Sequence, residues 1–410
     1  MHLFITLCMA RYDIAIVGGG IYGCSVAKHL SEKSDKSICV IEKEYHVGSH
    51  QSGRNSGVLT PGIVLDFEEN PRMGHFAEKG LRDIQEYCRQ NNIHYKDYGL
   101  LVVAKNDEEE RRLEEIRDRK TQHGIEKQLL TGSELAEKEP HIDGQAALFA
   151  PESGAVDSTP IVHSLASEAM GNGVDFFLGY NVNEIDNESD LIKIETDKGV
   201  IESSYLVNTT GAHAAKLARE MGVIGNQYQA LPLRGQYYEL KPDKRDLIKT
   251  DVYPTPRPDR IEDVGIHFTR RPDNKVIIGP TGMIALGPEA YGKTEVNFEK
   301  IVETMSSSNF WKFMGSKEAM RSAWDNVNMV YSKSKFVSEC QRLLPEVTED
   351  DLVESYVGII NYLIDDNGKQ IKDPVFEYGE RSAHILMVLP GITSSISIGD
   401  YMADEILQRC

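Results

Sequence analysis

Three glycines near the amino terminus have the spacing of a phosphate-binding turn. Gly18, Gly20 and Gly23 follow an apolar run, residues 12–17, that predicts a buried strand, and they open a segment with helical periodicity. Glycines at this spacing allow a tight turn, a close approach of the backbone to a pyrophosphate, and close packing of helix on strand. The amino-terminal end of the helix then directs free N–H groups and a positive dipole at the phosphates.

An acidic residue completes this pattern. Glu42 follows a second apolar run, residues 38–41, and lies about 20 residues after Gly23, where a carboxylate accepts hydrogen bonds from the hydroxyls of an adenosine ribose. Strand, glycine turn, helix, strand and acid in register predict a dinucleotide site. The alternative is a glycine-rich turn in an ordinary βαβ unit.

A polar, glycine-rich loop at residues 48–58 follows this unit, and loops of this composition usually line a ligand. Two further glycine turns, at residues 208–214 and 390–396, each join a predicted strand to a predicted helix, and we expect the one at 208–214 to lie beside the first turn. The positions predicted to contact the dinucleotide are Gly18, Gly20, Ile21, Tyr22, Gly23, Glu42, Lys43, His50, Gln51, Ser52, Arg54, Asn55, Ser56, Gly57, Val58, Thr210, Gly211, Gly391, Thr393, Ser394 and Ser395.

Composition excludes several classes of partner. The net charge of −19 argues against nucleic acid and against an anionic membrane surface. The six cysteines lack the spacing of a metal site or of a disulfide framework, so we expect no metal and free thiols in a reducing cytoplasm. Residues 1–10 are apolar but too few to span a bilayer, and we interpret them as a short extension that leaves a peripheral membrane contact open.

Motifs through nearly the whole chain resemble one group of enzymes. They are IVGGGIYG (16–23), HQSGRNSGV (50–58), NTTG (208–211), LRGQY (233–237), YPTP (253–256), GIHFTRR (265–271) and TSS (393–395). The chain resembles flavoproteins of the D-amino-acid-oxidase/glycine-oxidase superfamily and, within it, the L-2-hydroxyglutarate dehydrogenase/oxidase family. The resemblance implies FAD as the cofactor and oxidation of an L-2-hydroxy acid to the 2-oxo acid, with a hydride passing from Cα to flavin N5.

The chain departs from this family where cations would hold a dicarboxylate. Arg54 replaces a histidine, Ile360 aligns with an arginine, and a basic segment of the family is here LGPEAYG, residues 286–292. Glycerol-3-phosphate dehydrogenase or amino-acid oxidase activity on the same scaffold is therefore an alternative, as is a non-catalytic flavin-binding electron-transfer partner. An NAD-dependent enzyme would leave loop 48–58 without a purpose. The electron acceptor stays open among quinone, oxygen and a protein carrier.

A base and a carboxylate clamp are the other requirements of this chemistry. His267 alternates with apolar neighbours on a predicted strand, and histidine accepts a proton near neutral pH. Arginine pairs bidentately with a carboxylate, and Arg234 and Arg270 rank first because they lie on strands that carry the family motifs. Tyr253 would orient the carboxylate. The remaining candidates for these roles, which rank lower, are Arg54, Arg257, Arg271, His50 and His213. For each of these residues a purely structural contact is the alternative.

The length of 410 residues predicts two domains. The expected fold class is α/β: a discontinuous, Rossmann-like FAD-binding domain (11–85, 145–220 and 350–410) and a substrate domain (86–144 and 221–349) with a mostly antiparallel sheet and helices. Strands are predicted for the first domain at 200–202, 204–208 and 383–389. For the second domain they are predicted at 233–240, 264–270 and 276–279.

Overall fold

The structure is a computed structural model that describes residues 10–119, 124–260 and 265–410. Of the extension predicted at residues 1–10, residues 1–9 with Cys8 lie outside the described residues, as does the first residue of the strand predicted at 264–270, whereas Ala10 begins the first strand. The helices are α1 (Ile21–Lys33), α2 (Pro71–Gln90), α3 (Asp107–Arg117), α4 (Gly132–Lys138), α5 (Ser158–Gly171), α6 (Ala214–Glu220), α7 (Phe298–Ser306), α8 (Ser308–Met314), α9 (Lys317–Tyr331), α10 (Lys333–Cys340) and α11 (Ser395–Leu407).

The strands belong to three sheets. They are β1 (Ala10–Val17), β2 (Ile38–Glu42), β3 (Val58–Leu59), β4 (Tyr95–Lys96), β5 (Leu100–Ala104), β6 (Gln128–Thr131), β7 (Ala146–Ala150), β8 (Gly154–Val156), β9 (Asp175–Leu178), β10 (Val182–Asp186), β11 (Ile192–Thr196), β12 (Gly199–Asn208), β13 (Gln229–Leu240), β14 (Asp251–Pro254), β15 (His267–Arg270), β16 (Val276–Gly279), β17 (Met283–Ile284), β18 (Leu352–Ile364), β19 (Gln370–Ile371), β20 (Val375–Gly379) and β21 (Ser382–Met387).

The first sheet has the order β10-β11-β12-β1-β2-β9, and β21 extends it from β12 and pairs in turn with β20. Strands β1, β2, β9, β12 and β21 run parallel to their neighbours in this group, and their apolar side chains pack against α1 and α11. Carboxyl ends of parallel strands meet at one edge of a sheet, where ligands bind. The glycine turns after β1 and β12 lie together there: the N–H of Thr209 donates to the carbonyl of Val17 at 2.9 Å.

The second sheet has the order β19-β18-β13-β16-β15-β14-β5-β7-β6, with β17 paired to β13. Its pairs are antiparallel except for β14 with β5. The α/β class with a Rossmann-like part and a mostly antiparallel sheet is thus confirmed. Strands β7 and β18 pair within this second sheet, although the predicted ranges assign them to the FAD-binding domain, and those ranges stay a prediction.

A small third sheet, β3-β8-β4, joins loop 48–58 to the segment before α5. The last helix closes the first part of the fold. Helix α11 packs along α1, where the Ser25 hydroxyl donates to the carbonyl of Ser395 at 2.9 Å. The Tyr22 hydroxyl donates to the carbonyl of Gly391 at 2.6 Å. The nucleotide-binding edge is therefore assembled from both ends of the chain.

Candidate active site

A cavity of about 840 Å³ is lined by both large sheets. One end, the dinucleotide end, is formed by the turns after β1, β2 and β12. The other, the catalytic end, is formed by β13, β14, β15 and β18, by residues 280–282 and by α9 and α10. Most of the residues predicted to contact the dinucleotide line this cavity. They are Gly18, Gly20, Ile21, Tyr22, Glu42, Lys43, His50, Gln51, Ser52, Arg54, Asn55, Ser56, Val58, Thr210, Gly211, Gly391 and Thr393.

The first glycine turn requires glycine at two positions. Gly18 has a φ of +107°, and a Cβ there would lie 2.6 Å from the Thr209 carbonyl oxygen. A Cβ on Gly23 would lie 1.9 Å from the carbonyl oxygen of Gly18. Gly23 thus does not line the cavity but lets α1 approach the turn. Gly20 caps α1 without a side chain of its own, and the first turn has no acidic residue, so the N–H groups that follow Ile21 are open to a pyrophosphate.

Glu42 is held in the orientation that a ribose requires. The carboxylate is 8% exposed and accepts hydrogen bonds from the N–H groups of Gly19 at 2.6 Å and Glu44 at 2.8 Å. Each oxygen keeps a second lone pair for a hydroxyl donor. Together with the open helix end and the glycine cradle, this donor and acceptor set fits the adenosine and pyrophosphate of FAD.

Loop 48–58 is tied to the turn by its own side chains. The Ser52 hydroxyl accepts the Ile21 N–H at 2.9 Å, and the Asn55 amide donates to the carbonyl of Ser52 at 2.8 Å. Gly57 does not line the cavity. Its φ is +86°, and a Cβ would meet the carbonyl oxygen of Val156 at 2.2 Å, so the glycine allows β3 to pair with β8.

The carboxy-terminal turn presents its backbone to the cavity through Gly391 and Thr393. Ser394 and Ser395 do not line the cavity. Ser395 donates to the carbonyl of Ile392 at 2.8 Å, whereas the Ser394 hydroxyl is buried and has no hydrogen-bond partner among the described residues. Ser394 is the N-cap of α11 but makes no side-chain cap; the N–H groups of Ser394 and Ser395 donate instead to the carbonyls of Pro390 and Ile392.

His267 and Tyr253 meet at the catalytic end. Both line the cavity, and their ring centroids are 4.3 Å apart. The Nδ1 of His267 lies 3.0 Å from the carbonyl of Gly265, whereas Nε2 is buried without a partner in the described part of the chain. Burial lowers the pKa of His267 to about 4 and raises the pKa of Tyr253. Near pH 7 the imidazole is therefore neutral and the phenol protonated.

The two arginines that rank first do not reach the cavity, as judged from its described lining. Arg270 donates from one nitrogen to the carbonyls of Arg245 and Ile248, at 3.0 and 2.6 Å. Arg234 is 2% exposed and donates to the carbonyl of Tyr291 at 2.7 Å. Alternation along a strand explains the second case, because the cavity is lined by Leu233 and Gly235.

Other arginines do line the cavity. Arg257 forms an ion pair with Glu339 at 3.1 Å, and Arg260 pairs with Asp325; all four line the catalytic end. Arg54 lines the cavity with its guanidinium 4.4 Å from the ring centroid of Tyr291. Arg260, Asp325 and Glu339 were not among the residues selected from the sequence. The only signal in the sequence is that Arg260 lies three residues after Arg257; Asp325 and Glu339 have no comparable signal.

The lower-ranked histidines lie at the dinucleotide end, where they make local contacts. His50 bonds to the Tyr291 hydroxyl and to Glu44, and His213 bonds to Glu289. Arg271 does not line the described cavity wall, and its buried Nε has no partner in the described ranges.

Comparison with known proteins identifies the family. The profile of a family described as "FAD dependent oxidoreductase" matches residues 13–405. The chain belongs to this family. It is an FAD-dependent oxidoreductase, and its cofactor is FAD.

Relatives match along nearly their whole length. L-2-hydroxyglutarate dehydrogenase of Indibacter alkaliphilus is 29% identical over 408 residues, covering 97% of this chain and 99% of that protein. The mitochondrial L-2-hydroxyglutarate dehydrogenase of Nematostella vectensis is 30% identical, covering 97% and 91%. The Escherichia coli protein of the same name is 29% identical, covering 96% and 93%.

Solved structures share the fold. The FAD-bound L-alpha-glycerophosphate oxidase of Mycoplasma pneumoniae has a TM-score of 0.76 at 19% identity, covering 98% of this chain and 95% of that one. Glycine oxidase of Geobacillus kaustophilus has a TM-score of 0.73 at 20% identity, covering 98% and 96%. Within the described residues, no helix has both the length and the apolar character needed to cross a bilayer.

Proposed function

We propose that this enzyme oxidises an L-2-hydroxy acid of the 2-hydroxyglutarate type to the 2-oxo acid. The observation that carries the proposal is His267, which lines the catalytic end of a cavity whose other end fits FAD; its buried Nε2 has no partner in the described residues. Support also comes from the relatives, which carry the name L-2-hydroxyglutarate dehydrogenase and align along nearly their whole length.

His267 acts in this proposal as the base for the substrate hydroxyl. Its Nδ1–H donates to the Gly265 carbonyl, which fixes the tautomer and leaves the lone pair on Nε2. Burial lowers the pKa to about 4, which makes the ring a weaker base than a free histidine but keeps it neutral at physiological pH, with the Nε2 lone pair available for the hydroxyl proton. When bound, FAD supplies the acceptor for the hydrogen and the electron pair that leave Cα.

Tyr253 and Arg257 hold the substrate carboxylate. The phenol stays protonated because burial raises its pKa, so it can donate a hydrogen bond from a position beside His267. The Arg257 guanidinium lines the same end and can turn its fork from Glu339 to a carboxylate. Held by both groups, the Cα of the substrate is oriented before reaction, which contributes to the rate as well as to affinity.

Amino-acid oxidation is the second candidate, because two carboxylate side chains at the catalytic end could accept hydrogen bonds from a substrate ammonium group. Asp325 and Glu339 line the catalytic end and neutralise Arg260 and Arg257. An ammonium group would find acceptors there, whereas a second substrate carboxylate would have to displace one of these acids. This charge balance favours glycine or an amino acid over glycerol 3-phosphate, which needs uncompensated cations.

An anaerobic substrate screen tests the proposal. Purified FAD-loaded enzyme is mixed without oxygen with L-2-hydroxyglutarate, L-malate, L-lactate, glycerol 3-phosphate, glycine or L-amino acids, and the flavin absorbance is followed. We expect bleaching by L-2-hydroxyglutarate or a related hydroxy acid. Bleaching by amino acids alone selects the second candidate, and no bleaching by any compound indicates a flavin-binding electron-transfer partner. Reoxidation by oxygen, a quinone or a protein carrier then identifies the acceptor, and cell fractionation tests the predicted cytoplasmic location.

A further inference from the structure

A loop that follows β17 lies across the dinucleotide end of the cavity. We call residues 287–292 the clasp loop. Its Pro288, Glu289 and Tyr291 line the cavity together with Lys43 and His213, which belong to the turns after β2 and β12. The clasp loop leaves the second sheet yet contacts the first, so it bridges the two parts of the fold over the predicted path of the adenosine half.

Glu289 joins the clasp loop to both turns. Its Oε1 contacts the ammonium of Lys43 and lies 2.8 Å from Nε2 of His213. Lys43 adjoins Glu42, the ribose acceptor, and His213 follows Gly211 in the turn after β12. Burial lowers the pKa of His213 to about 4, so a neutral ring donates Nε2–H to this carboxylate at pH 7. One carboxylate therefore ties the ends of two strands to a single loop.

Tyr291 makes a second connection, to loop 48–58. Glu44 accepts the Nε2–H of His50 at 3.0 Å, so Nδ1 accepts the Tyr291 hydroxyl at 2.6 Å. The two rings stack with centroids 6.0 Å apart and an interplanar angle of 12°. The Arg54 guanidinium also lies over the Tyr291 ring, with its central carbon 4.4 Å from the ring centroid. From the second sheet, buried Arg234 holds the Tyr291 carbonyl at 2.7 Å.

The strength of these contacts differs along the clasp loop. The side chains of Glu289, Lys43 and His213 are 39%, 28% and 42% exposed, and ion pairs with this exposure contribute little to stability. The Arg234 contact is buried and stays with the second sheet. The backbone at Tyr291 is therefore held to the second sheet, whereas the contacts of Glu289 are weak and break readily. This difference is expected of a segment that opens and closes.

From these contacts we propose that the clasp loop closes the dinucleotide channel and retains bound FAD, with Glu289 and Tyr291 as the residues that hold it shut. This inference depends on the cofactor and is independent of which substrate the enzyme oxidises. It assigns a role to the segment that replaces the family's basic one: in this segment Glu289 contacts the turns after β2 and β12, and Tyr291 contacts loop 48–58.

The test measures FAD release. Holoenzyme is diluted into buffer, and the release rate is read from the rise of free flavin fluorescence, for wild type, Glu289→Gln, Tyr291→Phe and the double variant. We expect about tenfold faster release in the double variant, which loses the contacts of both residues, and a smaller increase in each single variant. The matched control is Glu346→Gln, which breaks an exposed 2.6 Å contact with His141 away from the cavity.

Each result decides the proposal. Faster release in the double variant, with the control within about twofold of wild type, supports it. Release at the wild-type rate in the double variant, or equal acceleration in the control, overturns it. If the double variant does not fold, Tyr291→Phe decides alone, because it removes only a hydroxyl and keeps the ring under Arg54. FAD release needs no substrate, so failure here is distinct from failure of the proposed reaction.

Discussion

The two ends of the cavity recognise their ligands with different parts of the chain. At the dinucleotide end the contacts are made mainly by backbone N–H groups, with the Glu42 carboxylate beside them, and Gly18 and Gly23 hold the turn where a Cβ would collide with carbonyl oxygens. At the catalytic end they are made by side chains, among them His267, whose Nε2 has no partner in the described residues. Backbone recognition tolerates no added atom, whereas side-chain chemistry requires a single atom of the right kind.

The largest expected effect is at the catalytic end. His267→Gln should lower the rate of anaerobic flavin reduction by L-2-hydroxyglutarate by about 10²–10⁴-fold, because the base is lost, while FAD content stays at the wild-type level. Stopped-flow absorbance measures the rate. His141→Gln, at an exposed position, is the control. A loss of less than about tenfold would remove His267 from the base role.

Gly23→Ala is the corresponding change at the dinucleotide end. Its Cβ would lie 1.9 Å from the Gly18 carbonyl oxygen, so the turn must shift and FAD affinity should fall about 100-fold. Titration of apoprotein with FAD measures the affinity. Gly171→Ala, which meets nothing within 4 Å at the end of α5, should bind FAD like wild type. Equal affinity of both variants would contradict the cradle.

Two buried histidines, one in each large sheet, make stability depend on pH. Burial lowers the pKa of His267 and of His384, beside Asn208, to about 4, below the ordinary value near 6.5. Between these values the unfolded chain binds more protons, so stability falls as pH falls from about 6.5 toward 4. From pH 7 to pH 5 each histidine should remove roughly 2 kcal/mol of unfolding free energy.

Urea unfolding at the two pH values measures this loss. Asp251 acts in the opposite direction, because burial raises its pKa, so each variant must be compared with wild type. His267→Gln and His384→Gln should each lose roughly 2 kcal/mol less than wild type between pH 7 and pH 5. A variant that follows the wild-type pH dependence would show that the corresponding histidine is protonated in the folded state.

The smallest expected effect is a change in KM that distinguishes Arg257, in the described cavity wall, from Arg270, which is not part of it. Arg257→Met should raise the KM for L-2-hydroxyglutarate about tenfold, because Arg257 lines the cavity, with little change in thermal stability. Arg270→Met should leave KM unchanged and lower Tm, because the carbonyls of Arg245 and Ile248 lose their donor. The reverse pattern would return the clamp to Arg270.

Local patterns were sufficient at the dinucleotide end. The glycines, Glu42 and the turn at Gly211 each follow directly on a strand, so the rule that carboxyl ends of parallel strands share one edge predicted that they lie together. Strand β12 shows the limit of this reasoning: the sequence predicts two strands interrupted at Ser203, but Ser203 is buried and donates to the carbonyl of Tyr205 at 2.7 Å. A satisfied hydroxyl does not interrupt a strand.

At the catalytic end, the alternation of side chains along β15 could have corrected the ranking of the arginines, which did not use it. His267 and Arg270 are three positions apart on β15, so their side chains lie on opposite faces of the sheet and only one can face the cavity. The contribution of Asp325 from α9 and Glu339 from α10 depends on how helices distant in sequence pack. No local pattern in the sequence records that packing.

The contacts of Tyr22 with Gly391 and of Ser25 with Ser395 determine when, relative to translation, the FAD site can be completed. Translation releases the glycine turn long before residues 391–395, so a nascent chain exposes the turn without the α11 end of the site. Cofactor capture in the observed geometry is therefore post-translational. A ribosome stalled before residue 391 would hold a chain with its phosphate-binding turn intact and its flavin site unfinished.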